Sequence, residues 1–586
     1  MALTVILVVA YGALLAVVSR LTARRADNDT FFSGGRRSPW WAVAFGMLGA
    51  SLSGVTFVSV PGMVCAADMT YLQMCLGFIP GYIAVAFLLL PVYYRLGLTS
   101  IYAYLDRRFG LTAYRTGASF FLLSKLLGAA VRLYLVCLIL QRLVFDALGL
   151  PFWLSAVIIL VLIWLYTHRG GIGTIVWTDC LQTAVLLVAL VLILAALLHA
   201  EGWGIGEAVR QVRASRMSRI FEFSDWQSRQ YFWKQFLSGA FIVVVMTGLD
   251  QDMMQKNLTC RTLRASQKNM IVNGLLYVPV NLLFLGLGVL MYLFAAHRAI
   301  ALPPSGDEVL PLLCAGGWLG QGALAFFTLG IAAAALSSAD SALTALTTST
   351  VCDLFQRPDD ERLRRRVHIA MSLFLLALIL AFRALNSTSV IDAVYVIASY
   401  TYGPLLGLFA FGLFAPARLR PVPRVIPFIC LASPVLCYLL SLLSAALWQY
   451  HFGYELLLLN GALTALGLWL SCPRSHDAPA TKQPKVYLIK RHPGGRAFLA
   501  ICLFGAVFSV RPLTAVELNH ERIHAAQQRE LLYVPFFIWY VVEWLFLWAK
   551  YGDRMKAYEH IRFEKEAYRH QGDLQYLSRR KHYRYT

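Results

Sequence analysis

The sequence is poor in charged residues: Asp, Glu, Lys and Arg make up 14% of its 586 residues, whereas 59% are hydrophobic. A composition this apolar excludes an ordinary soluble protein and is typical of a polytopic membrane protein. The 11 cysteines include no CxxC pair, so neither a disulfide scaffold nor a zinc ribbon is predicted. Acidic residues are few, 31 against 52 Lys and Arg. This excess does not indicate a nucleic-acid partner, because the basic residues fall in the loops of one predicted membrane face.

Long apolar runs occupy most of residues 1–471, and about 13 of them have the length that a bilayer requires. Their connecting loops alternate between basic and charge-poor. The positive-inside rule then places the N-terminus outside and residue 473 onward in the cytoplasm. The membrane is expected to be a bacterial inner (plasma) membrane. This assignment counts Lys256, Arg261, Arg264 and Lys268 as loop cations after the seventh run. The first run, 2–20, lacks a basic leading region and a small-residue cleavage site, which favours a retained span.

Two runs carry acids at predicted membrane depth. Residues 331–355 contain Ser337, Ser338, Asp340 and Ser341 among Ala and Leu. Hydroxyls alone favour close helix packing, but an acid inside a membrane helix usually marks an ion or substrate path. Asp179 lies about seven residues past residue 172, roughly 10 Å along a helix, although a surface acid near a helix start is the alternative. Such hard oxygen ligands suit a small cation.

The second run, 40–64, contains Gly, Ser and Pro at a density that weakens a helix in its middle. A broken membrane helix leaves backbone carbonyls without partners, which is tolerated where they line a cavity or bind a ligand. A tightly packed glycine-rich helix explains the same composition. This stretch alone does not decide between the two.

Several motifs follow one another in order along residues 1–471. They are FSGGR at 32–36, SGVTFVSVPG at 53–62, YLDRRFG at 104–110, GG at 170–171 with WTD at 177–179, TGLDQ at 247–251 with Gln255, SS at 337–338 and GPLLG at 403–407. Together they resemble the sodium:solute symporters, which carry sugars, proline, sialic acid, iodide or vitamins with sodium. The resemblance implies an all-α, LeuT-like fold of two inverted five-helix repeats, about 40–199 and 232–415, each opening with a broken helix.

The resemblance also implies a sodium site where the second run meets the run with the paired serines. Its ligands are carbonyls and hydroxyls, those of Gly49, Leu52, Ala334, Ser337 and Ser338. Asp179 matches an acid that some members use for a second sodium or for coupling. In those members, the residues three and four positions after the first of the paired serines carry hydroxyls. In this sequence those residues are Asp340 and Ser341. A carboxylate there leaves sodium-only coupling open to question and admits a proton-coupled role.

Solute contacts implied by the resemblance come from the second run, from the run around residue 132 and from two later runs. They are Ser53, Thr56, Phe57, Arg132, Asp250, Gln251, Tyr395, Tyr400 and Tyr402. Arg132 stands alone in an apolar run, and two roles are open for it. It pairs with Asp179 or Asp340 in a structural salt bridge, or it binds a carboxylate of the solute.

Composition changes after residue 471, where a polar linker, 472–490, leads into a helical, membrane-associated appendage, 491–586. HERIH at 520–524 is the HExxH pattern of zinc hydrolases, with His520 and His524 one helical turn apart and Glu521 as general base. Glu564 is the candidate third ligand, with Glu566 as the alternative. A surface helix with a chance match is the other interpretation, and metal binding is favoured over peptidase turnover. The short apolar runs 497–510 and 531–549 flank the motif.

The leading functional hypothesis is a sodium-coupled symporter that imports a small polar or anionic organic solute by alternating access. Its partners are the solute, sodium and the lipid bilayer, with zinc as a further candidate in the appendage. One alternative is a transporter-like sensor that signals through the appendage, although no kinase or receiver motif is present. Another is a zinc metallopeptidase anchored in the membrane, for which about 13 spans are far more than an anchor needs.

Overall fold

The computed structural model describes residues 2–22, 28–98, 100–385, 390–472, 486–488, 499–531, 533–580 and 585. The chain divides into two compact units, Met1–Cys472 and Pro473–Thr586. Most of the predicted linker 472–490 lies outside the described residues. Each unit has its own hydrophobic clusters.

Helices build the first unit. Up to residue 214 they are α1 Ala2–Thr22, α2 Asn28–Ser33, α3 Trp40–Ser51, α4 Gly54–Gly62, α5 Val64–Ala67, α6 Tyr71–Ala84, α7 Leu90–Leu96, α8 Ala103–Phe109, α9 Leu111–Leu140, α10 Phe152–Glu201 and α11 Ile205–Ala214. After it they are α12 Phe232–Val243, α13 Gln251–Asn257, α14 Leu263–His297, α15 Val309–Ala315, α16 Gly320–Ser349, α17 Glu361–Leu385, α18 Val390–Thr401, α19 Gly403–Phe414, α20 Ile426–Trp448 and α21 Leu456–Leu470. Single π-turns extend α6, α9, α12 and α16.

Among the described residues, seven helices are long and apolar enough to cross a membrane, or up to 11 if each bent helix pair is one span. Three further apolar helices are shorter: Ile6–Thr22, Phe152–Thr167 and Leu456–Leu470. The all-helical membrane architecture of this unit is therefore as predicted. The count of about 13 spans stays a prediction.

Both predicted repeats open with a bent helix pair. Between α3 and α4 the chain bends by 56°, and Ser53 has an extended backbone there. The glycines upstream of this break pack closely, because a Cβ on Gly49 would lie 1.9 Å from the Thr183 hydroxyl of α10. Breakage and tight glycine packing, the two interpretations left open by the sequence, thus occur in one run. Between α12 and α13 the bend is 70°.

The helix with the paired serines, α16, lies at the centre of the first unit. It packs against α1, α3, α4, α9, α10, α13 and α17. Its stretch 331–335 is Ile-Ala-Ala-Ala-Ala and is buried throughout. Small side chains permit this close approach of several helices. Ser338 of α16 and Ser53 at the break between α3 and α4 line one small cavity.

The second unit contains a three-stranded sheet of β1 Val486–Leu488, β2 Ala500–Leu503 and β3 Ala506–Ser509, in the order β1-β3-β2. β2 and β3 form an antiparallel hairpin through Phe504 and Gly505, whose φ angles are 50° and 76°. Positive φ at both turn residues matches the right-handed twist of a two-residue hairpin. The prediction of a helical appendage is therefore wrong for residues 500–509.

Five helices follow the hairpin: α22 Ala515–Glu530, α23 Val534–Tyr551, α24 Arg554–Glu559, α25 Arg562–His570 and α26 Tyr576–Arg579. α22 begins with a reciprocal capping box between Thr514 and Glu517. One side of α23 packs on α25 through Phe536 and Phe563. Its other side exposes large apolar residues, among them Ile538, Val542, Leu545 and Phe546. That face suits the apolar environment of a membrane interface.

Candidate functional site

Of the residues implied to bind sodium, Ser338 lines a small cavity between α16 and the broken helix, whereas Gly49, Leu52, Ala334 and Ser337 do not line it. Gly49 is in the last turn of α3, where carbonyls lack intrahelical partners, and Leu52 is at the break itself. Ser338 has a buried hydroxyl oxygen with no hydrogen bond to any described residue. A cavity of about 10 Å³ lies between Ser338 and Ser53. Ala334 is buried one turn before Ser338 on α16. Backbone and hydroxyl oxygens are the ligand type that a sodium ion requires.

Asp179 lies on α10 beside this site and is fully buried. The Ser337 hydroxyl donates a 2.6 Å hydrogen bond to Asp179 Oδ1. The other carboxylate oxygen, Asp179 Oδ2, is 2.8 Å from Nζ of Lys256 on α13. The acid that the resemblance links to a second ion therefore touches both a candidate sodium ligand and a lysine.

Asp340 and Ser341 lie on α16 next to this ion pair. Asp340 Oδ2 accepts a 2.9 Å hydrogen bond from the Tyr166 hydroxyl, and its Oδ1 accepts one of 3.0 Å from Ser341. No described Lys, Arg or His lies within ion-pair distance of Asp340. Its charge is therefore balanced less directly than that of Asp179.

A chain of alternating charges continues toward the middle of the unit. Lys256 Nζ is 3.6 Å from Asp252, whose other oxygen lies 2.6 Å from Lys125 Nζ. Lys125 also pairs with Asp250 at 3.2 Å. The Tyr402 hydroxyl donates a 2.5 Å hydrogen bond to Asp250. All four charged groups are buried, so each depends on its partner to offset the cost of leaving water.

A central cavity of about 100 Å³ lies against the end of this charge chain. Six of the residues implied to contact the solute line it: Ser53, Thr56, Arg132, Asp250, Tyr395 and Tyr402. Lys125 and Ser338 line it as well. The cavity therefore adjoins the candidate sodium site through Ser338 and offers two cationic side chains.

Three other implied contacts do not line this cavity. Phe57 is buried against the rings of Phe284 and Phe327. The side-chain oxygen of Gln251 accepts a hydrogen bond from the Ile101 amide. Tyr400 lies near the ring of Tyr438.

Arg132 makes no ion pair with Asp179 or Asp340, the two partners that the sequence left open. It lines the central cavity together with Lys125, Asp250 and Tyr402. The guanidinium thus borders the cavity rather than closing a structural salt bridge. A planar cation of this kind suits bidentate binding of a carboxylate.

Lys256 is not the loop cation that the charge pattern predicts. It lies in α13 and is 1% exposed. The assignment was wrong because the 70° bend after α12 turns α13 back into the protein, which a count of loop charges does not register. The four-residue spacing of Asp252 and Lys256 is a helix signal that was available in the sequence. Lys125 and Asp252 were also missed, although Lys125 lies inside an apolar run, where an ionisable residue is itself a signal of function.

The second unit gathers His520, His524 and Glu564, whose candidate ligand atoms all lie within 4.8 Å of one another. The two histidines come from α22 and the glutamate from α25. Nε2 of His520 is 3.1 Å from Nε2 of His524. Glu564 Oε2 lies 3.6 Å from His520 Nε2, and Glu564 Oε1 lies 3.4 Å from His524 Nε2. Three ligands that face one point leave the open fourth position of a catalytic zinc site.

The other ring nitrogen of each histidine faces an amide oxygen. His520 Nδ1 is 3.2 Å from Gln571 Oε1, and His524 Nδ1 is 2.8 Å from Gln527 Oε1. In the tautomer that these oxygens favour, Nδ1 carries the proton and both Nε2 atoms present lone pairs to each other. Together with the Glu564 carboxylate they would form a group of acceptors that suits a cation between them. Burial lowers the pKa of His524, but Glu564 outweighs burial and raises that pKa to about 9, so a proton on His524 also balances the cluster.

Glu564 is held in its charged form. Burial raises the pKa of a carboxyl, but the two histidines and the Tyr540 hydroxyl outweigh burial and keep the pKa of Glu564 well below its usual range. Tyr540 donates a 2.6 Å hydrogen bond to Glu564. Glu566, the alternative ligand, instead pairs with Arg580 and accepts a hydrogen bond from Gln527.

A cavity of about 670 Å³ opens beside this cluster. Glu521 and His524 contribute to one wall, β2 to another, and Phe536, Tyr540 and Trp544 of α23 supply an apolar side. Gln528 ties the hairpin to α22 by donating to the Cys502 carbonyl and accepting from the Gly505 amide. A helix–hairpin pair thus shapes a cleft at the candidate metal ligands.

Comparisons with known proteins bear on the first unit. The model of the sodium:solute symporter family matches residues 31–418. The human sodium/iodide cotransporter is 29% identical over 68% of this chain and 63% of its own length, so the chain spans less than two thirds of that relative. The sodium/sialic acid symporter NanT of Aliivibrio fischeri is 27% identical over 69% of this chain and 81% of its own length.

Solved structures agree on the fold. A sodium-coupled sialic acid symporter in a substrate-bound outward-open state matches with a TM-score of 0.69 and 21% identity, over 80% of this chain and 97% of its own. Mhp1, a nucleobase-cation-symport-1 family transporter, matches with a TM-score of 0.52 and 16% identity, over 75% of this chain and 93% of its own. These likenesses confirm the predicted transporter fold. The matched family model covers more than half of the sequence, and the chain belongs to the sodium:solute symporter family.

Proposed function

We propose that the first unit is a sodium-coupled symporter that imports a small anionic organic solute by alternating access. The observation that carries this proposal is the position of Arg132, which borders the central cavity without an ion pair to a described carboxylate. Family membership supports sodium coupling. The relatives named for iodide, sialic acid and monocarboxylates support an anion as the solute.

In this proposal, one sodium binds to the carbonyls of Gly49, Leu52 and Ala334 and to the hydroxyls of Ser337 and Ser338. Sodium there joins the broken helix to α16, so ion binding stabilises the arrangement of helices that also shapes the solute cavity. Because Ser338 faces both places, bound sodium and bound solute favour the same state. Asp250 and Tyr402 then orient polar groups of the solute, while Arg132 holds its carboxylate.

A thermal-shift screen on the purified full chain tests this function. Small carboxylates, amino acids, sugars and inorganic anions are each added with sodium and with choline in its place. An anionic solute that raises the unfolding temperature only with sodium is the expected result. Sodium-driven uptake of that solute into vesicles then separates a transporter from a transporter-like sensor, which binds without moving the solute.

Arg132→Gln sharpens the test of solute class. Loss of a charge-assisted bidentate contact is expected to raise the solute concentration for half-maximal uptake by about 10- to 100-fold. Arg142→Gln is the matched control, because Arg142 follows on the same helical stretch and pairs with Glu308 at the surface. Equal behaviour of both variants would contradict a carboxylate contact at Arg132.

We propose as a second function that the C-terminal unit binds one zinc through His520, His524 and Glu564. Three converging acceptors with the spacing of zinc ligands support it. Zinc in such a site would polarise a carbonyl and lower the pKa of a bound water. Glu521 is placed beside the ligands to take the proton of that water, and the adjoining cleft suits a substrate with an apolar side chain.

Elemental analysis of the purified full chain tests the zinc proposal. One zinc per chain is expected in the native protein and in Glu521→Gln, since Glu521 is not a ligand. Any peptide hydrolysis by the native protein is expected to disappear in Glu521→Gln, although that variant keeps its zinc. A native protein without zinc would contradict this second function and leave transport unaffected.

The membrane orientation belongs to the same proposal. The protein lies in a bacterial inner membrane, with the N-terminus outside and residue 473 onward beginning in the cytoplasm. Single cysteines added at exposed loop positions on a background lacking native cysteines test it. A membrane-impermeant thiol reagent is expected to label the loop at Asp68 from outside and the loop at Arg362 only after lysis.

A further inference from the structure

Lys256 occupies a place that the sequence assigns to ion coupling. Its side chain reaches Asp179, the acid matched to a second sodium or to coupling in some relatives, with 2.8 Å between Nζ and Oδ2. The ammonium is also 3.6 Å from Asp252 on the same helix. With 1% exposure, it has no route to water as an alternative partner.

The same acid touches the proposed sodium site. Asp179 Oδ1 accepts the hydrogen bond from Ser337, so one carboxylate links a candidate sodium ligand to the lysine. Asp340 and Ser341, the two other side chains implied in a second site, follow Ser337 by three and four residues on α16. The positive charge of Lys256 acts on Asp340 as well as on Asp179. Every acid assigned to a second ion therefore lies in the field of one buried ammonium.

Like-charge repulsion at Asp179 agrees with this arrangement, although the acids of the cluster outnumber its two lysines. Asp179, Asp250 and Asp252 are three buried acids, and Lys125 with Lys256 supply two cations in a continuous chain. A further sodium at Asp179 would stand next to an ammonium at hydrogen-bond distance, where like charges in a low dielectric repel strongly. One cation balances the charge of Asp179, and Lys256 already provides it.

We propose that the Lys256 ammonium is a tethered cation that takes the place of a second sodium, so that this symporter binds a single sodium per cycle. The inference rests on the proposed sodium-coupled function and specifies its stoichiometry. Because the tethered charge never leaves the protein, it orders α13 against α10 and α16 in every state but adds nothing to the driving force. Sodium then drives uptake only through the ion held at Ser337 and Ser338.

The test is equilibrium binding of radioactive sodium to the purified full chain, together with the sodium dependence of its unfolding temperature. Native protein is expected to bind one sodium per chain. Lys256→Met keeps the length of the side chain but removes its charge, leaving Asp179 open to an ion. That variant is expected to bind two sodium ions, and its unfolding temperature is expected to rise more steeply with sodium than that of the native protein.

Three further variants give the experiment its controls. Lys256→Met combined with Asp179→Asn removes both charges and is expected to return to one sodium. Lys256→Arg keeps the cation and is expected to bind one. Lys268→Met, which removes an exposed lysine over the Trp40 ring, is expected to match the native protein.

The outcomes separate this inference from the function on which it rests. Two sodium ions on the native protein would overturn the tethered cation by themselves, even if Lys256→Met does not fold. A folded Lys256→Met that still binds one sodium would overturn it too. No sodium on the native protein would overturn sodium coupling, and the inference with it.

Discussion

The two units of this chain bury charged groups in opposite ways. In the first unit, the acids Asp179, Asp250 and Asp252 each pair with a lysine of the same chain, Lys125 or Lys256. In the second unit, His520, His524 and Glu564 converge, and no described Lys or Arg forms an ion pair with Glu564. The three acids of the first group thus have a lysine beside them, whereas the second group offers a place for a cation from outside.

The proposed functions of the two units account for this difference. A carrier must release its ion in every cycle, which weak neutral oxygens such as those of Ser337 and Ser338 permit. Permanent internal pairs can then position helices without binding an exchangeable metal. A metal-dependent site holds its ion firmly, so its ligands are left without competing cations. The comparison therefore predicts loose, replaceable sodium in one unit and tight zinc in the other.

The largest expected effect is complete loss of zinc in His524→Ala. One of three ligands disappears, and the remaining two do not hold zinc tightly. Elemental analysis of the purified full chain measures it, with His560→Ala as control because His560 lies outside the cluster. Sodium-driven uptake is expected to persist in both variants. Zinc retained in His524→Ala would break the comparison, since the second cluster would then need no external cation.

Next in size is the effect of Ser338→Ala on sodium affinity. Loss of one neutral ligand of about five is expected to raise the sodium concentration for half-maximal uptake by about 10- to 100-fold. Thr328→Ala is the matched control on α16, because that hydroxyl bonds only the Leu324 carbonyl within the helix. Sodium activation that is unchanged in Ser338→Ala would remove this serine from the sodium site.

A smaller effect is expected for Asp340→Asn, the one acid of this cluster without an ion-pair partner among the described residues. If Asp340 carries a proton inward, native uptake rises as the external pH falls, by at most about tenfold per unit for one proton. Asparagine cannot exchange that proton, so the variant is expected to show a flatter pH profile. Asp353→Asn, a buried acid bonded to Tyr114, is the control. A native-like profile in Asp340→Asn would make this acid structural.

The smallest effect concerns the hairpin that shapes the zinc cleft. Gly505→Ala places a side chain at a φ of 76° and is expected to destabilise the hairpin by about 1–2 kcal/mol. The temperature at which zinc is released on heating should fall, while uptake stays at the native level. Gly572→Ala serves as control, because nothing lies within 4 Å of its added Cβ and its φ is unstrained. Equal release temperatures would show that the hairpin does not support the metal site.

Residue order predicted the helical membrane unit, and the resemblance to the symporter family supplied the candidate site residues. Apolar runs specify spans because a bilayer leaves few alternatives to the helix. HExxH predicted that His520 and His524 share a helix face, and Glu564 was the candidate third ligand. The strands at 500–509 were missed, because short apolar runs do not distinguish a strand from a helix segment. The place of Lys256 was missed, because loop charge counts treat every lysine after a span as solvated.

By itself, the sequence determined which segments are apolar, where helices weaken and which residue types can bind an ion. These properties are local and depend on spacing along the chain. Tertiary structure alone decided that Arg132 borders the cavity, that Lys256 pairs with Asp179, and that Glu564 rather than Glu566 faces the two histidines. Lys256 and Asp179 lie on different helices and are more than 40 positions apart, and Glu564 lies at least 40 positions from either histidine. Their meeting depends on how the helices bend and pack, which spacing along one segment does not encode.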